Sequence, residues 1–205
     1  MTSTIGILVF DGAEELDFVG PWEVFTMINE VSARTGKERP HNVILVAEKA
    51  DAVRCAKGMR VLPDATLETC GVLDVLLVPG GQGTRREVLN QPLLDWIATV
   101  AKTATWTTSV CTGSLLLAAA GPARGKRVTT HWAYVKTLRE RGEAAEVLDN
   151  YRYVQDGNVV TSAGVSAGID MALWLIGQIR DIAFARDVQR RMEYEPAPPY
   201  AAFTK

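Results

Sequence analysis

Short apolar or β-branched runs alternate along the chain with segments of helical periodicity. Apolar residues recur at helical spacing over 17–32, where Pro21 stands near the start, and again over 92–102. Glycine, proline or aspartate bounds the strand-like runs, as is typical of buried parallel strands. These runs are TIGILVF (4–10), NVILVA (42–47), DVLLVPGG (74–81) and TWTTSV (105–110). Strands separated by helices in this order predict an α/β fold, a doubly wound, mostly parallel sheet with right-handed crossovers.

The second half of the chain adds a hairpin and further helices to this pattern. The stretch YRYVQDGNVVTS predicts two strands that turn at Asp156 and Gly157. Helical spacing of apolar residues precedes this hairpin over 133–140 and follows it over 166–178 and 181–192. No linker, repeat or low-complexity segment divides the chain. Because 205 residues with 47% apolar and 22% charged side chains suit one core, we expect a single domain over 1–205.

Composition and charge exclude several classes of function. The formal net charge is -2 and no basic stripe is present, which argues against nucleic acid as a partner. The amino-terminal apolar run is followed by acidic residues, without a basic leader or cleavage signal. Other apolar runs, such as SLLLAAAG and MALWLIG, are too short for a bilayer. We therefore expect a cytoplasmic protein without a membrane partner.

The cysteines indicate thiol chemistry at one position at most. Cys55, Cys70 and Cys111 are widely spaced, form no CxxC pair and have only His41 and His131 as possible imidazole companions. This pattern argues against a disulfide framework and against a metal site. For Cys55 and Cys70 we favour a structural role.

Cys111 has a different setting, because SVCTGS joins a predicted strand to a predicted helix. A nucleophile elbow has this order, with small residues that permit the tight turn. At a helix start, the dipole and free N–H groups would lower the pKa of the thiol. The alternative is a small buried apolar residue, which is what a free cysteine usually is. The carboxyl ends of parallel strands should bring FDGAEELD, VPGG and SVCTGS together.

Five motifs in order resemble the DJ-1/PfpI superfamily, and within it the isocyanide hydratases. They are FDGAEELDFVGPWEVF, VPGGQGT, SVCTGS, GKRVTTHWAY and TSAGVSAGIDMAL. The same motifs resemble the amino-terminal domains of AraC-type regulators. The resemblance implies a flavodoxin-like sandwich, usually a homodimer, in which Cys111 faces an acidic residue from the loop after the first strand. That residue is Asp17 here, although a carboxylate at a helix start is equally a candidate N-cap.

The resemblance implies an enzyme that adds water to a small-molecule isocyanide and releases an N-substituted formamide. Cys111 would attack the isocyanide carbon to form a thioimidate, and Asp17 would move protons and activate water. No metal or organic cofactor is needed. PfpI-type members carry histidine after the nucleophile, where this chain has Thr112, so peptidase activity is not expected.

Several further residues are candidates on weaker grounds. The backbone N–H groups of Thr112, Gly80 and Gly81 are candidate oxyanion donors, although the glycines also suit a plain tight turn. The Thr112 hydroxyl would bond Asp17 or the reacting nitrogen, or else cap its own helix. An apolar pocket for the substrate would use residues that are equally candidates for the core, namely Trp22, Trp132 and Val165.

Other polar residues have structural explanations. We interpret His131 as a structural histidine at a helix start, and Asp170 as a first-turn carboxylate that complements a helix dipole. The segment from Ser162 and Ala163 to Ser166 is poorer in glycine than the hydratase pattern, which puts the substrate range in doubt.

Two other functions remain open. One is a ligand-sensing module related to the regulators, which would need a separate DNA-binding partner because no helix-turn-helix follows PPYAAFTK. The other is a cysteine-dependent enzyme or oxidant sensor that acts on reactive carbonyl compounds.

Overall fold

The computed structural model describes residues 3–36 and 41–196, so the ends of the predicted domain, including the tail over 197–205, lie outside the described residues. The strands are β1 (Ser3–Leu8), β2 (His41–Ala47), β3 (Val53–Arg54), β4 (Arg60–Val61), β5 (Ala65–Thr66), β6 (Val75–Val78), β7 (Trp106–Val110), β8 (Arg127–Val128), β9 (Glu146–Val147), β10 (Tyr153–Asp156) and β11 (Val159–Ser162). The α-helices are α1 (Glu15–Thr35), α2 (Thr84–Glu87), α3 (Gln91–Ala101), α4 (Gly113–Ala120), α5 (Val135–Arg141), α6 (Ala167–Ile179) and α7 (Ile182–Arg191).

Seven strands form one central sheet in the order β10-β11-β7-β6-β1-β2-β5. Neighbouring strands are parallel except β10, which pairs with β11 in the antiparallel hairpin. Helices flank the sheet, which confirms the predicted flavodoxin-like α/β fold. The hairpin turn lies one residue later than expected, at Gly157 and Asn158, because Gly157 takes the left-handed conformation (φ 62°).

The order of the strands places helices on both faces of the sheet. The chain moves from β1 through α1 to β2 in one direction, and from β6 through α3 to β7 in the other. Since parallel crossovers are right-handed, α1 and α3 lie on opposite faces. Helices α1, α6 and α7 contact one another, and α3 contacts α4. The strand order therefore reverses between β1 and β6, beside which this class of sheet binds ligands.

The central strands are apolar because both of their faces are covered. Ile5, Ile7 and Leu8 of β1 have no exposed surface, and all four residues of β6 are at most 1% exposed. Burial of each large aliphatic side chain contributes about 1.5–3 kcal/mol relative to exposure. This packing fixes the strand ends and therefore the loops that follow them.

Some predicted boundaries differ from the structure. The helix expected over 133–140 begins as a 3-10 turn, Trp132–Tyr134, and becomes α-helical only at Val135. Helix α1 begins at Glu15, so Pro21 lies inside it rather than near its start. Within residues 3–36 and 41–196, no helix is long and apolar enough to cross a membrane.

Candidate active site

Cys111 lies at a tight elbow between the end of β7 and the start of α4. Its φ of 56° is in the left-handed region, which costs a non-glycine residue roughly 1–2 kcal/mol. The turn runs close to β6, since a Cβ atom on Gly113 would lie 2.2 Å from the Val78 carbonyl oxygen. Small residues after Cys111 are thus a steric requirement of the elbow.

Hydrogen bonds from three other segments hold the strained Cys111 backbone. Its N–H lies 3.2 Å from the carbonyl oxygen of Ser162 and 3.1 Å from that of Ala163. Its carbonyl oxygen accepts hydrogen bonds from Thr130 Oγ1 at 2.9 Å and Ser114 Oγ at 3.1 Å. Strain of this kind persists only where the surroundings over-determine it, as they do here.

Asp17, in the first turn of α1, is fully buried and faces Cys111. Its Oδ2 atom accepts a hydrogen bond from the Gly80 N–H at 2.8 Å. The Val165 backbone and the Cys111 thiol also interact with the carboxyl. Its Oδ1 atom has no hydrogen bond of normal length with any residue that the structure describes. One oxygen is therefore anchored, and the other is available for proton exchange.

Burial controls the protonation of this pair. It raises the pKa of the Asp17 carboxyl from its ordinary 3.8 to about 7, despite the hydrogen bond from Gly80. Burial, followed by the charge of Asp17, raises the pKa of the Cys111 thiol to about 12. The expectation of a lowered thiol pKa is therefore wrong, because burial outweighs the helix terminus. Both shifts favour the neutral forms, a thiol at Cys111 and a protonated carboxyl at Asp17.

The two glycines after β6 serve the site through their backbones, but differently from the prediction. The Gly80 N–H donates to Asp17, and the Gly81 N–H donates to Thr112 Oγ1 at 3.0 Å. Neither N–H is therefore free as an oxyanion donor. The backbone groups that interact with the Cys111 sulfur are those of Thr112 and Val165.

The Thr112 side chain lies between Cys111 and the loop after β6. Its hydroxyl accepts from Gly81, lies 3.1 Å from Thr84 Oγ1 and interacts with the Cys111 sulfur. It does not cap α4. The predicted hydrogen bond to Asp17 is absent from the contacts of the described residues, in which Gly80, Val165 and Cys111 surround that carboxyl.

Of the three predicted pocket residues, the structure brings Val165 to the pair. Its backbone, at a φ of 54°, interacts with both Asp17 and Cys111. Trp132 is 81% exposed and its ring packs beside His131, with centroids 5.5 Å apart. Trp22 is 37% exposed on α1. The sequence thus identified Val165 as a site residue for its side chain, whereas the structure uses its backbone.

The structural interpretations of His131 and Asp170 agree with their contacts. His131 Nδ1 accepts from the Ala133 N–H at 3.2 Å and caps the 3-10 turn, and its ring packs closely against Gly164. Asp170 is paired with Arg152 and accepts from Tyr194. Both side chains are explained without a part in chemistry.

A cleft of about 650 Å³ opens at the carboxyl ends of β1 and β2, between Phe10, Ala47, Glu87 and Leu93. Neither Cys111 nor Asp17 lines it. The geometry of the Cys111–Asp17 pair, rather than the volume of this cleft, therefore defines the candidate site. In the described part of the chain, no group of three or more His, Cys, Asp or Glu is arranged to hold a metal.

Sequence reasoning missed the residues that hold the elbow, including Thr84, Ser114 and Thr130. Thr84 stands in VPGGQGT and Thr130 in GKRVTTHWAY, so both lie in motifs that the sequence marks. Thr84 contacts Thr112 and Thr130 contacts Cys111 across the fold, which no local pattern encodes, whereas Ser114 contacts Cys111 from three residues along the chain.

The comparisons agree with this fold. The DJ-1/PfpI family profile matches residues 3–178, and the chain belongs to that family. A THiJ/PfpI family protein from Pseudomonas syringae superposes with a TM-score of 0.86 and 33% identity, over 100% of this chain and 80% of that one.

Among its relatives is the isonitrile hydratase of Pseudomonas putida, 42% identical over 200 residues that cover 98% of this chain and 82% of that protein. The HTH-type transcriptional regulator GbdR of Pseudomonas aeruginosa is 27% identical over 94% of this chain, but only 51% of the regulator is matched. This chain is thus similar both to a hydratase over most of its length and to about half of a longer transcriptional regulator.

Proposed function

We propose that this protein is an isocyanide (isonitrile) hydratase, which converts R–N≡C and water into the formamide R–NH–CHO. The observation that carries the proposal is the buried Cys111 thiol against the Asp17 carboxyl, whose pKa is raised to about 7. A base poised near neutral pH is suited to proton transfer. The 42% identity to an isonitrile hydratase supports the same reaction.

In the first step, the sulfur and the proton of the thiol both add to the terminal carbon of the isocyanide. The Asp17 carboxylate takes the thiol proton as the Cys111 sulfur attacks that carbon, and the proton is then delivered to the same carbon. One S–H bond breaks, and one C–S and one C–H bond form. The product is the thioimidate R–N=CH–S–Cys111, which needs no metal or cofactor.

Water then releases the product. The Asp17 carboxylate removes a proton from water as its oxygen attacks the thioimidate carbon, and the nitrogen takes up a proton to become N–H. Cleavage of the C–S bond forms the formamide carbonyl and returns a proton to sulfur. The backbone groups of Thr112 and Val165 near the sulfur are the candidates that steady the charge that develops there.

The test is formamide formation from p-nitrophenyl isocyanide, followed by ultraviolet absorbance. We expect turnover by the wild type, none by C111A, and a loss of about 100-fold or more in D17N, as removal of a general acid–base group causes. The variant C70A is the matched control, because Cys70 lies outside the pair and should keep full activity. Activity retained by C111A would refute the mechanism.

The same assay separates the alternative functions. A sensing module related to the regulators would bind the isocyanide without turnover. An oxidant sensor would be oxidised at Cys111 by peroxide, which peroxide titration followed by mass spectrometry detects.

The proposal includes a cytoplasmic homodimer, as the family resemblance implies. Leu16 and Trp22, on α1, are each more than a third exposed and are apolar side chains that a second copy would cover. A monomer mass in light scattering would contradict the dimer.

A further inference from the structure

Thr84 is a buried hydroxyl next to the reactive site that the proposed mechanism does not use. It is 1% exposed and begins helix α2. Its Oγ1 atom lies 2.7 Å from the Gly81 carbonyl oxygen and 3.1 Å from Thr112 Oγ1. Thr84 is therefore one hydrogen bond away from the residue that contacts the Cys111 sulfur.

Three oxygen atoms, those of the Gly81 carbonyl and of the Thr84 and Thr112 hydroxyls, form a cluster that contains two hydroxyl protons. The Gly81 carbonyl oxygen lies 2.7 Å from Thr84 Oγ1 but 3.3 Å from Thr112 Oγ1. A hydroxyl carries a single proton, and the distance of 2.7 Å is typical of a good O–H···O bond while 3.3 Å is long. The Thr84 proton therefore belongs on the Gly81 carbonyl.

The remaining proton is that of Thr112. Its oxygen already accepts from the Gly81 N–H at 3.0 Å, and the carbonyl beside it is satisfied by Thr84. The Thr112 hydroxyl is left to donate to the Cys111 sulfur. The two side chains lie side by side, since Thr112 Oγ1 and Cys111 Cβ are 2.7 and 2.8 Å from the position that a Cβ on Gly80 would take, and the hydroxyl interacts with the sulfur. The direction of this hydrogen bond thus depends on the proton of Thr84.

We propose that Thr84 is a positioning residue, which holds the Gly81 carbonyl so that the Thr112 hydroxyl donates to the Cys111 sulfur. The effect on turnover rests on the proposed hydratase function, whereas the effect on the thiol does not. In T84V the Gly81 carbonyl loses the Thr84 hydroxyl as its donor. The Thr112 hydroxyl then donates to this carbonyl instead of to the Cys111 sulfur.

The measurement is the rate at which iodoacetamide alkylates Cys111 between pH 6 and 10, followed by peptide mass spectrometry so that Cys55 and Cys70 are separated. Loss of one donor to a thiolate raises its pKa by about one unit. Because a more basic thiolate is also more nucleophilic, we expect alkylation to slow about threefold at each pH below the pKa.

Three further variants separate this role from a purely structural one. T84S keeps the hydroxyl and should restore the wild-type rate. T107V removes a buried threonine hydroxyl that has no hydrogen-bond partner among the described residues, and it should leave the rate unchanged. T84V combined with T112V should alkylate no more slowly than T112V alone, since the two hydroxyls act in one chain.

If Thr84 only closes its own turn with Gly81, T84V will lose stability while its alkylation profile matches the wild type, and that result would overturn the proposal. Additive effects of T84V and T112V would also overturn it. Absence of isocyanide turnover by the wild type would refute the proposed function instead, and the alkylation result would still stand.

Discussion

Replacement of Gly80 by alanine should strongly reduce turnover, because the added methyl group displaces neighbouring atoms of the candidate active site. Gly80 does not have a positive φ, so the added methyl group acts through contact alone. Its Cβ would lie 2.5 Å from the Thr112 backbone nitrogen, 2.7 Å from Thr112 Oγ1 and 2.8 Å from Cys111 Cβ. All three atoms belong to the elbow.

The size of the displacement follows from these distances. Ordinary Cβ contacts begin near 3.4 Å, so the methyl group and the Thr112 nitrogen must separate by about 0.9 Å. Such a shift also disturbs the Gly80 N–H bond to Asp17, which is 2.8 Å long. A displacement of about 1 Å at reacting groups costs roughly 100-fold in rate, and overpacking of a core costs about 1–3 kcal/mol of stability.

The assay compares kcat/KM for p-nitrophenyl isocyanide and urea unfolding in G80A, the wild type and G177A. Gly177 is the matched control, because it lies within α6 and a Cβ there would be 3.8 Å from its nearest neighbour. There, alanine should leave turnover unchanged and stabilise by up to about 1 kcal/mol. Wild-type kcat/KM in folded G80A would refute the argument that the elbow is sterically fixed.

Two other predictions follow from the same geometry. Since the folded-state pKa of Asp17 is raised to about 7, the fold favours the neutral carboxyl, and this contribution to stability is complete below about pH 4 and lost as the pH rises to about 7. The unfolding free energy of D17N should therefore increase relative to that of the wild type between these pH values. A difference that does not change with pH would contradict the raised pKa. T130V removes a 2.9 Å hydrogen bond to the buried Cys111 carbonyl, which keeps the hydrogen bond from Ser114, so it should cost about 0.5–1.5 kcal/mol in urea unfolding. T107V should cost little, and equal losses would refute the role of Thr130 in holding the elbow.

The fold could be predicted because its central strands carry a strong local signal. The runs in β1, β2, β6 and β7 are apolar or β-branched; burial on both faces explains this in β1, β6 and β7, whereas β2 is only partly buried. Strands β3, β4, β5, β8 and β9 have two residues each, which is too few for a period to show. Their positions depend on pairing with other segments of the fold rather than on a local sequence pattern.

Part of the candidate site could be predicted from the sequence motifs. They point to Cys111, Asp17 and Val165, which the structure brings together, but the predicted pocket residues Trp22 and Trp132 do not join this group. The protonation of the pair could not be predicted, because the cost of burial depends on packing from distant segments. The N–H groups of Gly80 and Gly81 were assigned to the wrong acceptors for the same reason.

The loops after β1 and β6 are joined mainly through their main chains. The Glu14 N–H donates to the Gly80 carbonyl at 2.9 Å, the Gly83 N–H donates to the Gly12 carbonyl at 3.0 Å, and Ala13 forms a bridge with Gly81. Main-chain bonds do not depend on side-chain identity, except where a glycine is needed for close approach. Because main-chain groups form these bonds, we expect substitutions at exposed positions of the two loops, such as Asp11 and Gln82, to leave the frame around Cys111 intact.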